Sequence, residues 1–291
     1  MARLMNGKIL NCYNPDWYRV DEPDFGEVEA WRLRDAVGQG FRCLKIAKAL
    51  GLFVRHLSGI LLDVDDPSMD PLCTEAGRLD IPVYVHVADP KAFFLPPDSS
   101  NERYKELSVH PHWSFHGKDF PSFDALLDAF ERVVARHPET VFIGVHLGND
   151  AEDPDRVARM LDTHPNYFVD IAARVPEFGR HPAEKMRAFF TRYQDRILFG
   201  TDLGVSPRHL MLGSTGDDNP TPDDAHRFYL AHFRYFETND AQIAHPTPIQ
   251  GDWKVDAIGL APGVLEKLYR KNAMRLLKIP AGPEDETVRT P

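Results

Sequence analysis

With 291 residues, 43% of them hydrophobic, the chain is long enough for one large α/β barrel or two modest domains, and its composition is that of a globular protein. Its formal charge of -10, from 44 acidic against 34 basic side chains with no basic stripe, argues against nucleic acid as a partner. No run approaches the roughly 18 apolar residues of a membrane span, and residues 1–10 hold no apolar core of signal-peptide length, so a soluble, cytoplasmic protein is expected.

Short apolar runs alternate with longer amphipathic segments along the chain, which is the pattern of βαβ units around a parallel sheet. The strand candidates are residues 8–13 (KILNCY), 41–46 (FRCLKI), 81–86 (IPVYVH), 141–146 (VFIGVH), 167–171 (YFVDI) and 196–201 (RILFGT). Several are almost wholly apolar, as strands covered on both faces must be. Helical segments lie between them, residues 123–136 and 182–193 among them. In the former, Phe123, Leu126, Leu127, Phe130, Val133 and Val134 recur at helical spacing and form a core stripe. Ser122 caps its start and His137-Pro138 closes it; Asp153-Pro154 opens the next helix and His164-Pro165 ends it.

Residues 213–224 (GSTGDDNPTPDD) read as a long loop of the kind that often serves as a lid, and the polar tail 281–291 as disordered. With no internal repeat and no convincing linker, residues 1–280 form a single domain. Cys12, Cys43 and Cys73 stand far apart, outside any metal-binding spacing, and are expected to be reduced thiols.

Three strand candidates end alike: an apolar run, one ionisable residue, then a turn. His86 follows PVYV, His146 follows FIGV and Asp202 follows ILFGT. In a parallel α/β barrel the ligand site lies at the C-terminal ends of the strands, so these three would meet at one mouth. A single strand-end histidine is commonly structural; two with an aspartate in the same placement point to a metal or acid/base site. Lys45, near the end of FRCLKI, faces the same mouth and either binds an anionic substrate group, or serves a second metal if carbamylated, or is a solvated stem. Arg174 after YFVDIAA either pairs with a substrate carboxylate or bridges to Glu177. Asp89 is a candidate helix cap that supports His86, and Trp113, Phe115 and Phe120 either line a pocket or plug the mouth.

The blocks IPVYVHVADP, VFIGVHLGN, YFVDIAAR, RILFGTD and NAMRLL together resemble the amidohydrolase-related branch of the amidohydrolase superfamily, over nearly the whole chain. The resemblance implies a TIM-type (β/α)₈ barrel holding one divalent metal, commonly zinc, with His86 and Asp202 as metal ligands and His146 and Asp202 as catalytic residues. Asp202 would move the proton of a metal-activated water, and His146 would hydrogen-bond the substrate oxygen as charge develops. The superfamily's first strand normally ends in His-x-His, and no strand candidate here does; His110-Pro111-His112 lies in a connection with no apolar strand before it. Together with a count of six strands against eight, this implies a barrel lacking its first two β/α units, with residues 8–13 as the third strand. Two ligands should hold metal weakly or not at all. The open edges at 8–13 and 196–201 would invite pairing with another chain, so a homo-oligomer is conceivable.

The function implied is metal-dependent hydrolysis of an amide, ester or lactone-like bond in a small carboxylate-bearing substrate. Non-oxidative decarboxylation on the same site is the alternative, and a non-catalytic fragment that keeps the fold is the third reading.

Overall fold

Alternating apolar and amphipathic segments build one parallel sheet with helical crossovers, in a computed structural model that describes residues 9–206, 209–214 and 219–280. The strands are β1 (Cys12–Tyr13), β2 (Cys43–Ile46), β3 (Val83–Val85), β4 (Phe142–Gly144), β5 (Tyr167–Asp170) and β6 (Ile197–Leu198), adjacent in chain order. Helices Phe25–Gly38, Asp70–Arg78, Phe123–Arg136, Pro154–Thr163 and Ala183–Arg192 fall one in each successive connection. All six predicted strands are present, each shorter than its apolar run. Pairing stops before His86, His146 and Asp202 and leaves those residues in the turns. This is the TIM-barrel architecture, with six parallel strands among the described residues.

Strand periodicity sorts the side chains into two layers. Leu44, Val83, Phe142, Val169 and Ile197 face the helices and join the large core, to which Leu126 and Phe130 of the predicted helical stripe also belong. On the other face, register places Lys45 beside Tyr84, Tyr84 beside Ile143 and Ile143 beside Phe168. Ile143, Phe168 and Leu198 form a second, smaller cluster covered by Ala273 and Leu276 near the C-terminal end. The same face, continued two residues along β5, arrives at Asp170. A polar residue therefore stands above an apolar floor because the strand alternates.

Asn272 anchors that C-terminal helix, its side-chain amide donating to the carbonyls of Gln194 (2.7 Å) and Ile197 (2.8 Å). Phe199 donates its N–H to the carbonyl of Leu268 at 3.0 Å, so the outer side of β6 is met by this segment rather than left open.

Two expectations are revised. Cys12 and Cys43 form a disulfide, not two reduced thiols: register sets them side by side on β1 and β2 with Cα atoms 4.4 Å apart, while Cys73 is buried and free. The stretch 213–224 is not loop throughout, because the helix Pro222–Glu237 begins inside it. Thr221 caps that helix, its hydroxyl accepting from the N–H of Asp224, with Pro222 in the first turn and Asp223 and Asp224 suited to the positive end of the dipole. Finally, β7 (Leu203–Val205) and β8 (Leu210–Leu212) make an unpredicted hairpin just after Asp202, and β9 (Ile243–Ala244) pairs antiparallel with β10 (Lys254–Val255). The tail 281–291, residues 215–218 of the predicted loop and Lys8 of the first strand candidate lie outside the described residues. Among the described residues, no helix is long and apolar enough to cross a membrane.

Candidate active site

The turns after β3, β4, β5 and β6 bring His86, His146, Arg174 and Asp202 to the wall of one cavity of about 230 Å³. The rings of His86 and His146 meet edge to face with centroids 4.5 Å apart. Pro90, Phe93, Trp113 and Met211 supply an apolar side, on which Phe93 and Trp113 stack with planes 23° apart. Phe115 and Phe120 pack with the core instead. His110 stacks on Trp113 at 4.0 Å.

The turns are built in an uncommon backbone region. His146, Ala173 and Asp202 have φ of 58°, 54° and 59°, left-handed values that cost L-residues roughly 1–3 kcal/mol each. Asp170 accounts for how one of them is held. Its Oδ1 accepts the N–H of His146 at 2.8 Å and that of Ala172 at 3.1 Å, tying the turn after β4 to the turn after β5. Asn149 plays the matching part between β3 and β4: its Oδ1 accepts from Val87 N–H at 3.0 Å and its Nδ2 donates to the Ala88 carbonyl at 3.1 Å. Replacing Asp170 by Ala is expected to destabilise the protein by about 3 kcal/mol through two lost backbone partners, and Asp170→Asn, which keeps an acceptor, by far less. Urea unfolding of the two variants checks this; equal losses would show that the acceptor is irrelevant.

Hydrogen bonds to backbone carbonyls set the ring tautomers. His146 Nδ1 lies 2.7 Å from the Ala172 carbonyl, so this nitrogen carries the proton and Nε2 is left as an acceptor. His86 Nε2 lies 3.1 Å from the Ala88 carbonyl, which leaves its Nδ1 bare. Both rings are held neutral well below the ordinary histidine value: His86 by burial and then by His146 and the cations around it, His146 by burial and then by Arg174. The donor role expected for His146 would need its protonated form.

Burial also raises the Asp202 carboxyl above its usual range, against the pull of Arg174, Lys45 and Lys48. It lowers the Lys45 ammonium, with Asp170 and Asp202 opposing. Lys45 does not line the cavity; Lys48 does, and it pairs with Asp89 at 2.7 Å. Asp89 thus neutralises a cation, and no helix cap is formed by it at 91–94. Glu177 is taken by buried Arg103. Arg174, 6% exposed, donates only to the neighbouring Ala173 carbonyl and has no carboxylate partner among the described residues.

A resident metal was expected on His86 and Asp202. Among the described residues no group of three or more His, Cys, Asp or Glu side chains is gathered so as to hold an ion. His86 turns one nitrogen to a carbonyl, and Asp202 faces three cations. The residues present do not fit a self-sufficient metal centre, for which about three protein ligands are usual. Asp170, Asn149 and Lys48 escaped the sequence reading, although alternation from Phe168 to Asp170 was a usable signal.

Solved structures share this fold. An uncharacterised TIM-barrel protein from Bordetella bronchiseptica aligns at 16% identity and TM-score 0.51, over 95% of this chain and 69% of the other. A 2,6-dihydroxybenzoate decarboxylase from Rhizobium aligns at 17% identity and TM-score 0.50, over 96% and 73%. A 5-carboxyvanillate decarboxylase from Novosphingobium aromaticivorans, complexed with manganese and a nitrobenzoic acid, aligns at 14% identity and TM-score 0.51, over 96% and 66%. No curated protein matches the chain. The Amidohydrolase family, however, matches residues 15–279, a span that takes in every strand end on the cavity wall, and to that family the chain belongs.

Proposed function

We propose that this cavity binds a small carboxylate-bearing substrate and that the chain hydrolyses an amide, ester or lactone-like bond in it. One observation carries the reading: Arg174 is a buried guanidinium on the cavity wall without a carboxylate partner among the described residues. Asp202 offsets part of that charge without hydrogen-bonding it, so the guanidinium can take a substrate carboxylate in a charge-assisted pair there. Lys48 on the same wall is already paired with Asp89, so Arg174 is the cation left to meet a substrate carboxylate.

Asp202 is the proton acceptor in this reading. A carboxyl raised by burial is a stronger base toward water than an exposed one, and it lies where the apolar side of the cavity limits bulk solvent. While Arg174 holds the carboxylate, the remaining N–H of Lys48, which gives two to Asp89, would donate to the oxyanion that develops when water adds to the carbonyl. Neutral His146, with Nε2 bare, can hold the attacking water or take its proton onward to the leaving group.

Decarboxylation is the second reading, favoured by the stacked Phe93 and Trp113, a flat apolar wall suited to a planar unsaturated acid. Two of the three structural neighbours named above are decarboxylases, and one of these carries manganese rather than the zinc expected here. Among the described residues no three ligands are gathered for such an ion, so both readings rest on the chain's own acid, base and cationic groups.

The test is a titration of small acids against their neutral amides. The wild type is expected to prefer the acid, and Arg174→Met to lose about a hundredfold in acid affinity with amide binding unchanged. Acid and amide bound equally by the wild type would remove the reading. Release of CO₂ on turnover would put decarboxylation in place of hydrolysis, and acid binding without turnover would favour a non-catalytic binding protein.

A further inference from the structure

The disulfide between Cys12 and Cys43 has no part in the proposed reaction, yet it sits at one border of the sheet. β1 is the end strand, only Cys12 and Tyr13 long, and among the described residues no strand pairs with its far side. Its backbone meets β2 at two register pairs, Cys12 with Cys43 and Tyr13 with Leu44, next to an Arg42 N–H donated to the Asn11 carbonyl at 2.9 Å. So short an edge strand opens locally at little cost, and the covalent bond is what opposes the opening.

Two features make this bond reversible in place. Cys12 is half-buried on the edge strand while Cys43 is 3% exposed, so Cys12 is the more accessible end of the pair. Beyond the bond, the chain is held a second time. Tyr13 donates its hydroxyl to Glu29 at 2.5 Å, and Glu29, fully buried in the helix Phe25–Gly38, also accepts the Asp16 N–H at 3.0 Å and pairs with Arg32 at 2.9 Å. That helix is secured in turn, Arg34 pairing with Glu75 of the helix Asp70–Arg78 at 2.8 Å. Losing the S–S bond therefore loosens the edge without casting the chain adrift, and the two thiols stay close enough to rejoin. Cys73 does not compete, because burial pushes its thiol up to about 12 and keeps it protonated.

We infer that Cys12–Cys43 is a redox switch for the order of the β1 edge. A thiolate of a dithiol reductant attacks the Cys12 sulfur and forms a mixed disulfide; the S–S bond breaks, and the Cys43 sulfur leaves with the electron pair and takes up a proton. The second thiol of the reductant then displaces Cys12, which is protonated in its turn, and the reductant departs as a disulfide. The protein has gained two electrons and two protons, and β1 is free to open. Oxidation by a disulfide reverses both steps. The strand whose outer edge is thus bared is β2, which carries Lys45 and runs on into the turn that bears Lys48 of the cavity wall.

Thiol labelling and hydrogen exchange of the folded wild-type protein test this, in dithiothreitol and then in oxidised glutathione, without denaturant. Two further cysteines are expected to label in dithiothreitol and to be lost again on reoxidation. In the reduced form the Arg42 amide and those of residues 10–13 should exchange about tenfold faster or more, with the amides of the helix Phe25–Gly38 unchanged. Cys12→Ser, which cannot close the bond, should exchange like the reduced wild type in both buffers. A bond that is absent from the oxidised protein, that yields only after unfolding or that fails to re-form would overturn the inference. So would equal exchange of the two wild-type forms, or exchange in Cys12→Ser that still follows the buffer.

Discussion

Asp202→Asn is expected to lower kcat by about a thousandfold while leaving the fold and the affinity for carboxylates in place. Asparagine is the appropriate probe because Asp202 sits at φ 59°, a conformation that Asn adopts more readily than other residues with a β-carbon. The side chain of Asp202 makes no hydrogen bond among those described, and its backbone carbonyl, which accepts from Gly213 N–H at 3.3 Å, is not altered by the substitution. Stability should therefore hold or rise. A carboxyl whose folded-state value is raised favours the folded state only while protonated; above that value the buried charge counts against folding, and Asn removes it. The pH profile gives a second readout. The wild-type acid limb should lie above the ordinary aspartate range, because activity is lost as falling pH protonates the raised carboxyl. Normal turnover by Asp202→Asn would pass the base role to His146, whose bare Nε2 is the other acceptor on the wall.

How far the site was legible in the sequence follows from what alternation and strand ends encode. His86, His146, Arg174 and Asp202 each sit where an apolar run gives way to a turn, and βαβ topology alone brings such ends to one mouth. Lys45 illustrates the limit. Its strand was found, but one residue of register decides whether a side chain reaches the cavity or stops beneath it, and Lys48 in the following turn takes the wall position. The disulfide is hidden for the same reason: the crossover between Cys12 and Cys43 leaves their faces and register unspecified until the strands pair. Gln250, Glu106 and Arg103 lie on connections with no periodic signal, and only the folded chain brings them to the cavity. Asp150 was equally silent in sequence, a carboxylate in the run HLGND with nothing to mark it as buried.

That residue carries the largest pH-dependent effect on stability. Asp150 is 4% exposed, its Oδ2 has no hydrogen-bond partner, and burial, with Glu152 adding to it, pushes its carboxyl up to about 7 from 3.8. Arg156 offers little relief at 3.8 Å, since it is held by Asp124 at 2.7 Å and Asp128 at 2.6 Å. With the folded value raised, stability is fully present below the unfolded value and is lost as pH climbs through about 7. At pH 8 the burden of ionisation reaches about 4 kcal/mol, and at pH 5 it is under about 2 kcal/mol. Asp150→Asn keeps the shape and removes the charge, and Arg156 keeps its two surface partners. The variant should therefore gain roughly 3 kcal/mol over wild type at pH 8, a rise in Tm on the order of 5 °C, with the gain shrinking toward pH 5. Thermal or urea unfolding at the two pH values measures it. A gain that is independent of pH would mean that the folded-state carboxyl is already ionised at pH 5, and a loss at pH 8 would mean that the Arg156 contact outweighs burial.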